Sequence, residues 1–240
     1  MSYNLQYFQY NERSILIEWP SAIDENILND ILKFKHLIEI RYIKQKVEVI
    51  SSYSSLLIIY ASTIDKFNDT FLSLEELYAT INSTETIKSQ LWEIPVCYDH
   101  EFATDLDDFS KQKSLSKTQI IELHSSALYT VYFTGFLPGF LYLGGLDEKL
   151  FLGRKNTPSL DVKKGSVAIG GKQTGIYPEY SPGGWHVIGN TPISLFSPKA
   201  NPPCFINAGD KVKFIPVDRS EYNKIKQAVE ALDYKLVPKV

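Results

Sequence analysis

Glycine occurs in only one part of this 240-residue chain: all 13 glycines lie between Gly135 and Gly209, and the first 134 residues contain none. Eight of the 12 prolines fall in the same interval. Turns, bulges and tight corners need the positive φ angles and the close backbone approach that glycine allows, and proline fixes turns. The chain therefore has two compositional halves, and the second must be rich in turns.

The overall composition indicates a globular protein. With 44% hydrophobic and 22% charged residues, the chain suffices for one large domain or two small ones with cores of their own. The formal charge of −3 is spread along the sequence, which argues against nucleic acid as a partner. The longest apolar runs, such as residues 56–61, fall far short of the roughly 20 residues of a membrane-spanning helix.

The cysteines and the first residues give an expectation about location. Cys97 and Cys204 allow at most one disulfide and lack the spacing of a zinc site. The first 13 residues contain no basic stretch followed by an apolar one, so no secretory signal is predicted. We therefore expect a reduced, cytoplasmic chain without a membrane partner.

Residues 1–90 have the pattern of two successive strand–strand–helix units. Aromatic and β-branched runs at 5–10 and 14–19 predict a hairpin, and residues 47–52 and 55–61 predict a second strand pair. The two strand pairs are therefore expected to form a small sheet.

A helix is expected after each strand pair, because apolar residues recur there at near-helical spacing. Ser21 or Asp24 can cap the first helix, and Thr63 and Asp65 open the second. This order of elements predicts a small, open-faced α+β sandwich, and we find no catalytic constellation in it.

Residues 91–130 form a bridge into a second domain. A strand is predicted at 91–99; Asp105 can cap a short helix, and Ser116 begins an amphipathic helix that contains His124. We expect His124 to be half-buried or exposed. The acidic residues between 99 and 108 suit a helix start without any ion, so no metal site is predicted.

From Tyr129 onward, short β-branched runs alternate with glycines and prolines. Several short strands without helices between them predict a β-barrel or sandwich. The predicted strands are residues 129–136, 165–171, 184–190, 192–196 and 210–217.

Three segments in this half are specific when taken together: FTGFLPGFLYLGGLDEKL at 133–150, GSVAIGGKQTGIYP at 165–178 and SPGGWHVIGNTPISLF at 181–196. They resemble the family that comprises the 5-oxoprolinase B subunit (PxpB), the sporulation kinase inhibitor KipI and allophanate hydrolase subunit 1. IPVCYD at 94–99 and the helix region at 115–124 are also similar to this family, so the resemblance covers about residues 91–217.

The resemblance implies an α+β fold: a small N-terminal α+β sandwich domain over 1–90, then a cyclophilin-like β-barrel domain over 91–240. It implies a subunit, inactive alone, that works with subunits A and C to open 5-oxo-L-proline to L-glutamate. ATP would be the co-substrate of the complex, with Mg accompanying it, and no metal would be bound by this chain. The family leaves two alternatives open: a KipI-like inhibitor of a sensor histidine kinase, and a subunit in urea or allophanate breakdown.

Two glycine-rich segments suit a pocket floor or a contact with a partner subunit, because bare backbone beside aromatic rings lets another molecule approach. An equally valid interpretation is a buried turn packed by its own rings. The candidate residues are Phe136, Pro138, Phe140 and Tyr142 in the first segment, and Ser181, Gly183, Gly184 and Trp185 in the second.

The segment GGKQTGIYP presents polar groups beside glycines, and its backbone N–H groups could bind a phosphate or carboxylate oxygen. It is not a P-loop, because Gly171 stands where lysine is required. A barrel turn with solvated tips is the alternative. The candidate substrate- or nucleotide-binding residues here are Gly170, Gly171, Lys172, Thr174 and Tyr177, with Gln173 as a candidate hydrogen-bonding group in catalysis.

His186 is the best candidate for a general acid or base among the four histidines, because it lies beside the Pro-Gly-Gly turn and imidazole exchanges protons near neutral pH. Arg154 and Lys155 are weaker candidates for anion binding. The resemblance breaks down at Ser159 and Asn190, which stand where the family usually has arginine. Two bidentate anion contacts would thereby be lost.

Overall fold

The computed structural model describes residues 3–45, 47–81 and 88–239. Contacts between Cα atoms divide the chain into two compact units, the first ending at Lys88 and the second beginning at Ser89.

The first unit is a four-stranded antiparallel sheet with two helices. Its elements are β1 (Gln6–Asn11), β2 (Ser14–Glu18), α1 (Glu25–Arg41), β3 (Glu48–Ser51), β4 (Ser55–Ile59) and α2 (Phe67–Ala79). The strand order is β1-β2-β4-β3, so both predicted strand pairs are confirmed.

Helix α1 begins where a side chain caps it. The carboxylate of Asp24 accepts the N–H groups of Asn26 and Ile27 at 2.7 and 3.3 Å, so Asp24 and not Ser21 is the cap. The prediction for the second helix was wrong at its start, because α2 follows Lys66, which makes no side-chain cap. The apolar face of α1 packs on alternate residues of the strands, including Ile15 and Ile58, to form this unit's core.

The second unit is built on a seven-stranded, nearly closed barrel, which confirms the predicted fold class. Its helices are α3 (Leu106–Lys113), α4 (Lys117–Ser126) and α5 (Arg219–Glu230). Its strands are β5 (Leu91–Val96), β6 (Tyr129–Thr134), β7 (Leu141–Gly144), β8 (Ser159–Val162), β9 (Ser166–Gly170), β10 (Gln173–Ile176), β11 (Ser181–Gly183), β12 (His186–Asn190) and β13 (Lys211–Pro216).

The order of strands in the barrel sheet is β12-β9-β10-β7-β6-β13-β5, and β8 pairs with β11 in a separate ribbon. Strand β5 runs parallel to β13, and the remaining neighbours in the barrel sheet are antiparallel. The two outermost strands meet where Cys97, just after β5, exchanges two backbone hydrogen bonds of 2.9 Å with Asn190, the last residue of β12. This bridge closes the sheet on itself at one end.

Helix α4 has the cap that the sequence indicates. The hydroxyl of Ser116 accepts the N–H of Gln119, and the Gln119 side chain accepts the N–H of Ser116, which is a capping box. Asp105 precedes α3, but its side chain does not cap that helix. The strand predicted at 192–196 was wrong: that segment has irregular backbone and makes a single bridge, between Phe196 and Cys204.

The described residues contain neither a membrane span nor a cluster of metal ligands. No helix among them is long and apolar enough to cross a membrane. Within the same ranges no group of three or more His, Cys, Asp and Glu side chains could hold a metal ion. Cys97 and Cys204 are free thiols.

Candidate functional site

An aromatic cluster covers the outer face of the barrel. Along β7, Leu141 and Leu143 point into the barrel core while Tyr142 points out, because successive side chains of a strand alternate. Phe140, Tyr142, Tyr177 and Trp185 make up this cluster. Their ring centroids lie 4.8 to 5.9 Å apart in the four pairs that touch.

Glycines of the strands let these rings lie directly on the sheet. A Cβ at Gly170 would lie 2.5 Å from the Trp185 ring, and one at Gly175 would lie 2.6 Å from the Leu141 carbonyl oxygen and 3.0 Å from Trp185. A Cβ at Gly183 would collide with the Tyr177 ring. The glycines of these segments therefore serve close packing on the outer face.

Phe136 stands at the open edge of the aromatic cluster. It is 61% exposed and has a φ of +64°, a conformation that bulky residues rarely adopt. Its ring lies 5.6 Å from Phe140 and 6.4 Å from Tyr177. The turn from β6 to β7 thus holds a phenyl ring in solvent at a conformational cost, which is typical of a functional position.

Arg154 lies above the aromatic cluster, with its Cζ atom 6.0 Å from the centre of the Trp185 ring. Burial raises the pKa of Tyr142 and Tyr177, and the nearby Arg154 charge acts in the opposite direction on both. Both phenols therefore stay protonated at neutral pH and can donate hydrogen bonds.

The loop that carries Arg154 is tied down by Lys155. The Lys155 ammonium donates to the Asp105 carboxylate at 2.9 Å and to the Ser159 hydroxyl at 2.6 Å. The same Asp105 oxygen accepts the Val187 N–H at 2.7 Å. Lys155 and Ser159 thus form a structural tie between this loop, α3 and β12.

His186 is buried, with its Nε2 donating to the Gly153 carbonyl at 2.9 Å and its ring edge-on to Phe109. Because a carbonyl only accepts, the proton belongs to Nε2 and Nδ1 is the basic nitrogen. In this structure His186 anchors the residue before Arg154, and its role as a general acid or base stays a prediction.

The GGKQTG segment forms the tight turn between β9 and β10. Gly170 pairs with Gln173, and the N–H of Gly171 donates to the Leu152 carbonyl at 2.7 Å. That donor is therefore unavailable to a phosphate. Lys172 is exposed, with its ammonium 5.8 Å from the centre of the Phe151 ring.

Thr174, proposed above as a ligand contact, is instead fully buried in a chain of hydrogen bonds that includes His124. The Tyr98 hydroxyl lies 2.8 Å from Nδ1 of His124, and Nε2 of His124 lies 2.9 Å from the Thr174 hydroxyl. The Thr174 hydroxyl in turn donates to the Ala168 carbonyl at 3.0 Å. Each donor finds one acceptor if Nε2 carries the imidazole proton. The expectation of a half-buried or exposed His124 was wrong, because Phe214 stacks on it 4.6 Å away inside the barrel.

Asn190 also has a structural role. Its side chain donates to the Lys164 carbonyl at 2.9 Å and accepts the Tyr222 hydroxyl at 2.7 Å, beside the backbone bridge that closes the barrel. Both amide atoms of Asn190 therefore make hydrogen bonds within the barrel domain.

The remaining predicted pocket residues fall around the aromatic cluster. Ser181 is buried and donates to the Pro182 carbonyl at 3.1 Å; Pro138 is exposed; the Gly184 carbonyl accepts the Lys155 N–H at 2.7 Å. The site therefore consists of apolar rings, one guanidinium and two phenols. Of these groups the Arg154 guanidinium is exposed and Tyr142 is half-buried, so an anion can approach the guanidinium from solvent.

Comparison with known proteins agrees with this architecture. Residues 5–206 match the family described as carboxyltransferase domain, subdomain C and D. The 5-oxoprolinase B subunit of Bacillus subtilis is 33% identical over 237 residues, which cover 95% of this chain and 99% of that protein. The 5-oxoprolinase B subunit of Haemophilus influenzae is 43% identical over 169 residues, covering 70% of this chain and 78% of that protein.

Solved structures share the fold. The crystal structure of TTHA0988 is 28% identical with a TM-score of 0.75, covering 86% of this chain and 40% of that chain. The K. lactis urea amidolyase has a TM-score of 0.82 at 22% identity and covers 99% of this chain, which in turn spans 16% of that much longer chain. Because the family match spans most of the sequence and the Bacillus subtilis alignment runs over nearly both whole proteins, this chain belongs to the carboxyltransferase subdomain C and D family and, within it, to the group of 5-oxoprolinase B subunits.

Proposed function

We propose that this protein is the B subunit of an ATP-dependent 5-oxoprolinase, which opens 5-oxo-L-proline to L-glutamate together with A-like and C-like subunits. The observation that carries the proposal is the alignment with the Bacillus subtilis protein, which covers 95% of this chain and 99% of that relative. Whole-length similarity at 33% identity favours the same role in a complex over a shared fold alone.

The aromatic cluster supports a role at an interface with another subunit. Phe136 projects into solvent beside packed rings, and exposed aromatic anchors of this kind are enriched at the energetic centres of interfaces. We assign this surface to the second cyclophilin-like subunit, the C-like partner. A shared active site at the interface would then take one wall from each protein.

The chemistry divides between the subunits accordingly. A five-membered lactam is a poor electrophile, and transfer of the terminal phosphoryl group from ATP to its carbonyl oxygen, with ADP leaving, would activate the carbonyl carbon. Water would add to that carbon and the ring C–N bond would break to free the amine, and a second water would then hydrolyse the acyl phosphate to L-glutamate and phosphate. We place the nucleotide and its Mg on the partner subunits, because the Gly171 N–H of the candidate phosphate loop already donates to Leu152. This chain would hold the lactam ring, and its two free thiols suit a cytoplasmic complex.

Reconstitution tests the proposal. The chain mixed with its A-like and C-like partners should release glutamate from 5-oxo-L-proline only when ATP is present, while the purified chain alone should neither open the lactam nor hydrolyse ATP. Turnover by the single chain, or a complete complex without glutamate release, would refute this function.

A matched pair of variants probes the surface. Phe136→Ala should weaken binding of the C-like subunit at least tenfold in a titration, because an exposed aromatic anchor is removed. Tyr10→Ala replaces an aromatic residue of β1 that is 63% exposed, and it should bind the partner like the wild type. Equal affinities for both variants would contradict the assigned surface.

A second candidate function follows from the same exposed ring. A KipI-like inhibitor would use Phe136 and the aromatic cluster to grip the dimerisation helices of a sensor histidine kinase. Affinity capture that returns a histidine kinase, together with no lactam turnover, would favour it. The likeness to urea amidolyase, at 22% identity, concerns the fold alone.

A further inference from the structure

Arg154 carries a positive charge that is open to solvent. Its neighbour Lys155 is paired with Asp105 at 2.9 Å, whereas within the described ranges no carboxylate forms an ion pair with Arg154. The side chain is exposed and lies over Trp185, which itself is only 4% exposed. A guanidinium that lies over an aromatic face keeps its hydrogen-bonding edge available to an anion.

The backbone on both sides of Arg154 is anchored. The Gly153 carbonyl accepts the His186 ring N–H at 2.9 Å, and the Lys155 N–H donates to the Gly184 carbonyl at 2.7 Å. The Lys155 side chain adds its bonds to Asp105 and Ser159. The backbone at Arg154 is therefore fixed before any ligand arrives, which reduces the entropy lost in that loop on binding.

Two phenols share the surroundings of this guanidinium. Tyr177 is only 2% exposed, so its hydroxyl is closed to a ligand, whereas Tyr142 is half-buried. The Arg154 charge acts on Tyr142 as well. The site therefore offers an exposed, bidentate cation and one accessible hydroxyl donor beside packed aromatic rings, a combination that suits an oxyanion attached to a small ring.

We propose that Arg154, held over the Trp185 ring, binds the carboxylate of a small planar ring compound and so selects substrates with that group. This inference rests on the proposed function and identifies the part of 5-oxo-L-proline that this chain recognises. A monocarboxylate fits better than a phosphate, because the site provides a single guanidinium charge beside the neutral Tyr142 phenol.

Ligand titration of the full chain, without ATP or partner subunits, tests the inference. Trp185 lies against Arg154, so binding is followed by tryptophan fluorescence and by calorimetry. The wild type should bind 5-oxo-L-proline at least tenfold more tightly than 5-oxo-L-prolinamide, which lacks the carboxylate, and more tightly than inorganic phosphate. Equal binding of acid and amide, stronger binding of phosphate, or no binding of the acid would overturn the inference.

Variants of Arg154 test whether the higher affinity for the acid depends on this residue. Arg154→Gln should reduce affinity for the acid at least tenfold and leave the amide unchanged, and Arg154→Lys should restore only part of the loss because an ammonium lacks the planar fork. Arg219→Gln changes an exposed arginine of α5 that pairs with Glu101, and it should bind like the wild type. An Arg154→Gln chain that binds the acid normally would refute the assignment.

The assembled complex separates this inference from the function it rests on. There, Arg154→Gln should raise KM for 5-oxo-L-proline at least tenfold with a smaller change in kcat, since the contact is made in the ground state. A complex that releases glutamate with an unchanged KM refutes the Arg154 site alone. A chain that binds the acid through Arg154 while no complex releases glutamate refutes the proposed function alone.

Discussion

The imidazole of His124 shows how barrel closure changes the properties of one side chain. Tyr98 and Thr174 bond its two ring nitrogens, and the side chain has no exposed surface. Burial lowers the pKa of His124 to about 3, from an ordinary value of 6.5. The folded protein therefore keeps this histidine neutral at pH values where the unfolded chain would protonate it.

This difference predicts a pH dependence of stability. Between pH 6.5 and about 3 the unfolded state binds one more proton at His124 than the folded state does. Lowering the pH in this range therefore favours the unfolded state. The free energy of unfolding falls by up to about 1.4 kcal/mol per pH unit because of His124. His124→Gln should remove that part of the slope in urea titrations from pH 7 to 5. The exposed His36→Gln should keep the wild-type slope, and an unchanged slope in His124→Gln would contradict the argument.

The sequence indicated which residues lie at the site better than it indicated what each of them does. It singled out Trp185 and Tyr177, which the structure brings together, and Arg154, which lies above them. It could not distinguish the buried Thr174 from its exposed neighbour Lys172, because both lie in the same polar segment. Burial there depends on α4, which is distant in sequence and supplies His124.

The glycines of the barrel strands allow the aromatic rings to pack closely on the outer face of the sheet. Gly170→Ala would place a methyl group 2.5 Å from the Trp185 ring, and the ring must then leave the sheet. We expect about 1–3 kcal/mol of destabilisation, measured as a lower urea midpoint, together with a changed near-ultraviolet dichroism of the aromatic cluster. Gly153→Ala is the matched control, because nothing lies within 4 Å of its added Cβ; equal effects of the two substitutions would exclude this packing role.

Elements with a clear period were predictable, and short ones were not. The hairpin β1–β2 and helix α4 follow from alternation and from the cap at Ser116. Strands β8 and β11 are four and three residues long and carry too few side chains for any period to emerge. Residues 192–196 alternate like a strand, yet they lie outside the sheets and bridge only at Phe196.

The barrel closes at a seam where the end of β5 meets β12, and a few polar contacts hold this seam together. The Asn190 side chain accepts the buried Tyr222 hydroxyl beside the Cys97 bridge. No local pattern predicts this contact, because it joins β12 to helix α5, an element that the sequence reasoning did not identify.

Tyr222→Phe tests that seam. The substitution keeps the ring against Phe102 but leaves the Asn190 oxygen without its buried donor, so the free energy of unfolding should fall by about 1–3 kcal/mol. Tyr180→Phe removes a hydroxyl from a residue that is 63% exposed, and its unfolding midpoint should not change. Equal midpoints for the two variants would show that the hydroxyl does not hold the seam.

The parallel pair of β5 and β13 also affects how the protein is made. Leu91 and Lys211 are neighbours in the sheet although they lie 120 positions apart in the chain. A ribosome that adds about 5–20 residues per second needs roughly 6–24 s to supply that partner. During synthesis β5 therefore has an unpaired edge until β13 has been made, whereas strands β1–β4 can pair as soon as the first 60 residues are available. The nascent second unit thus exposes an unpaired strand edge for longer than the first unit does.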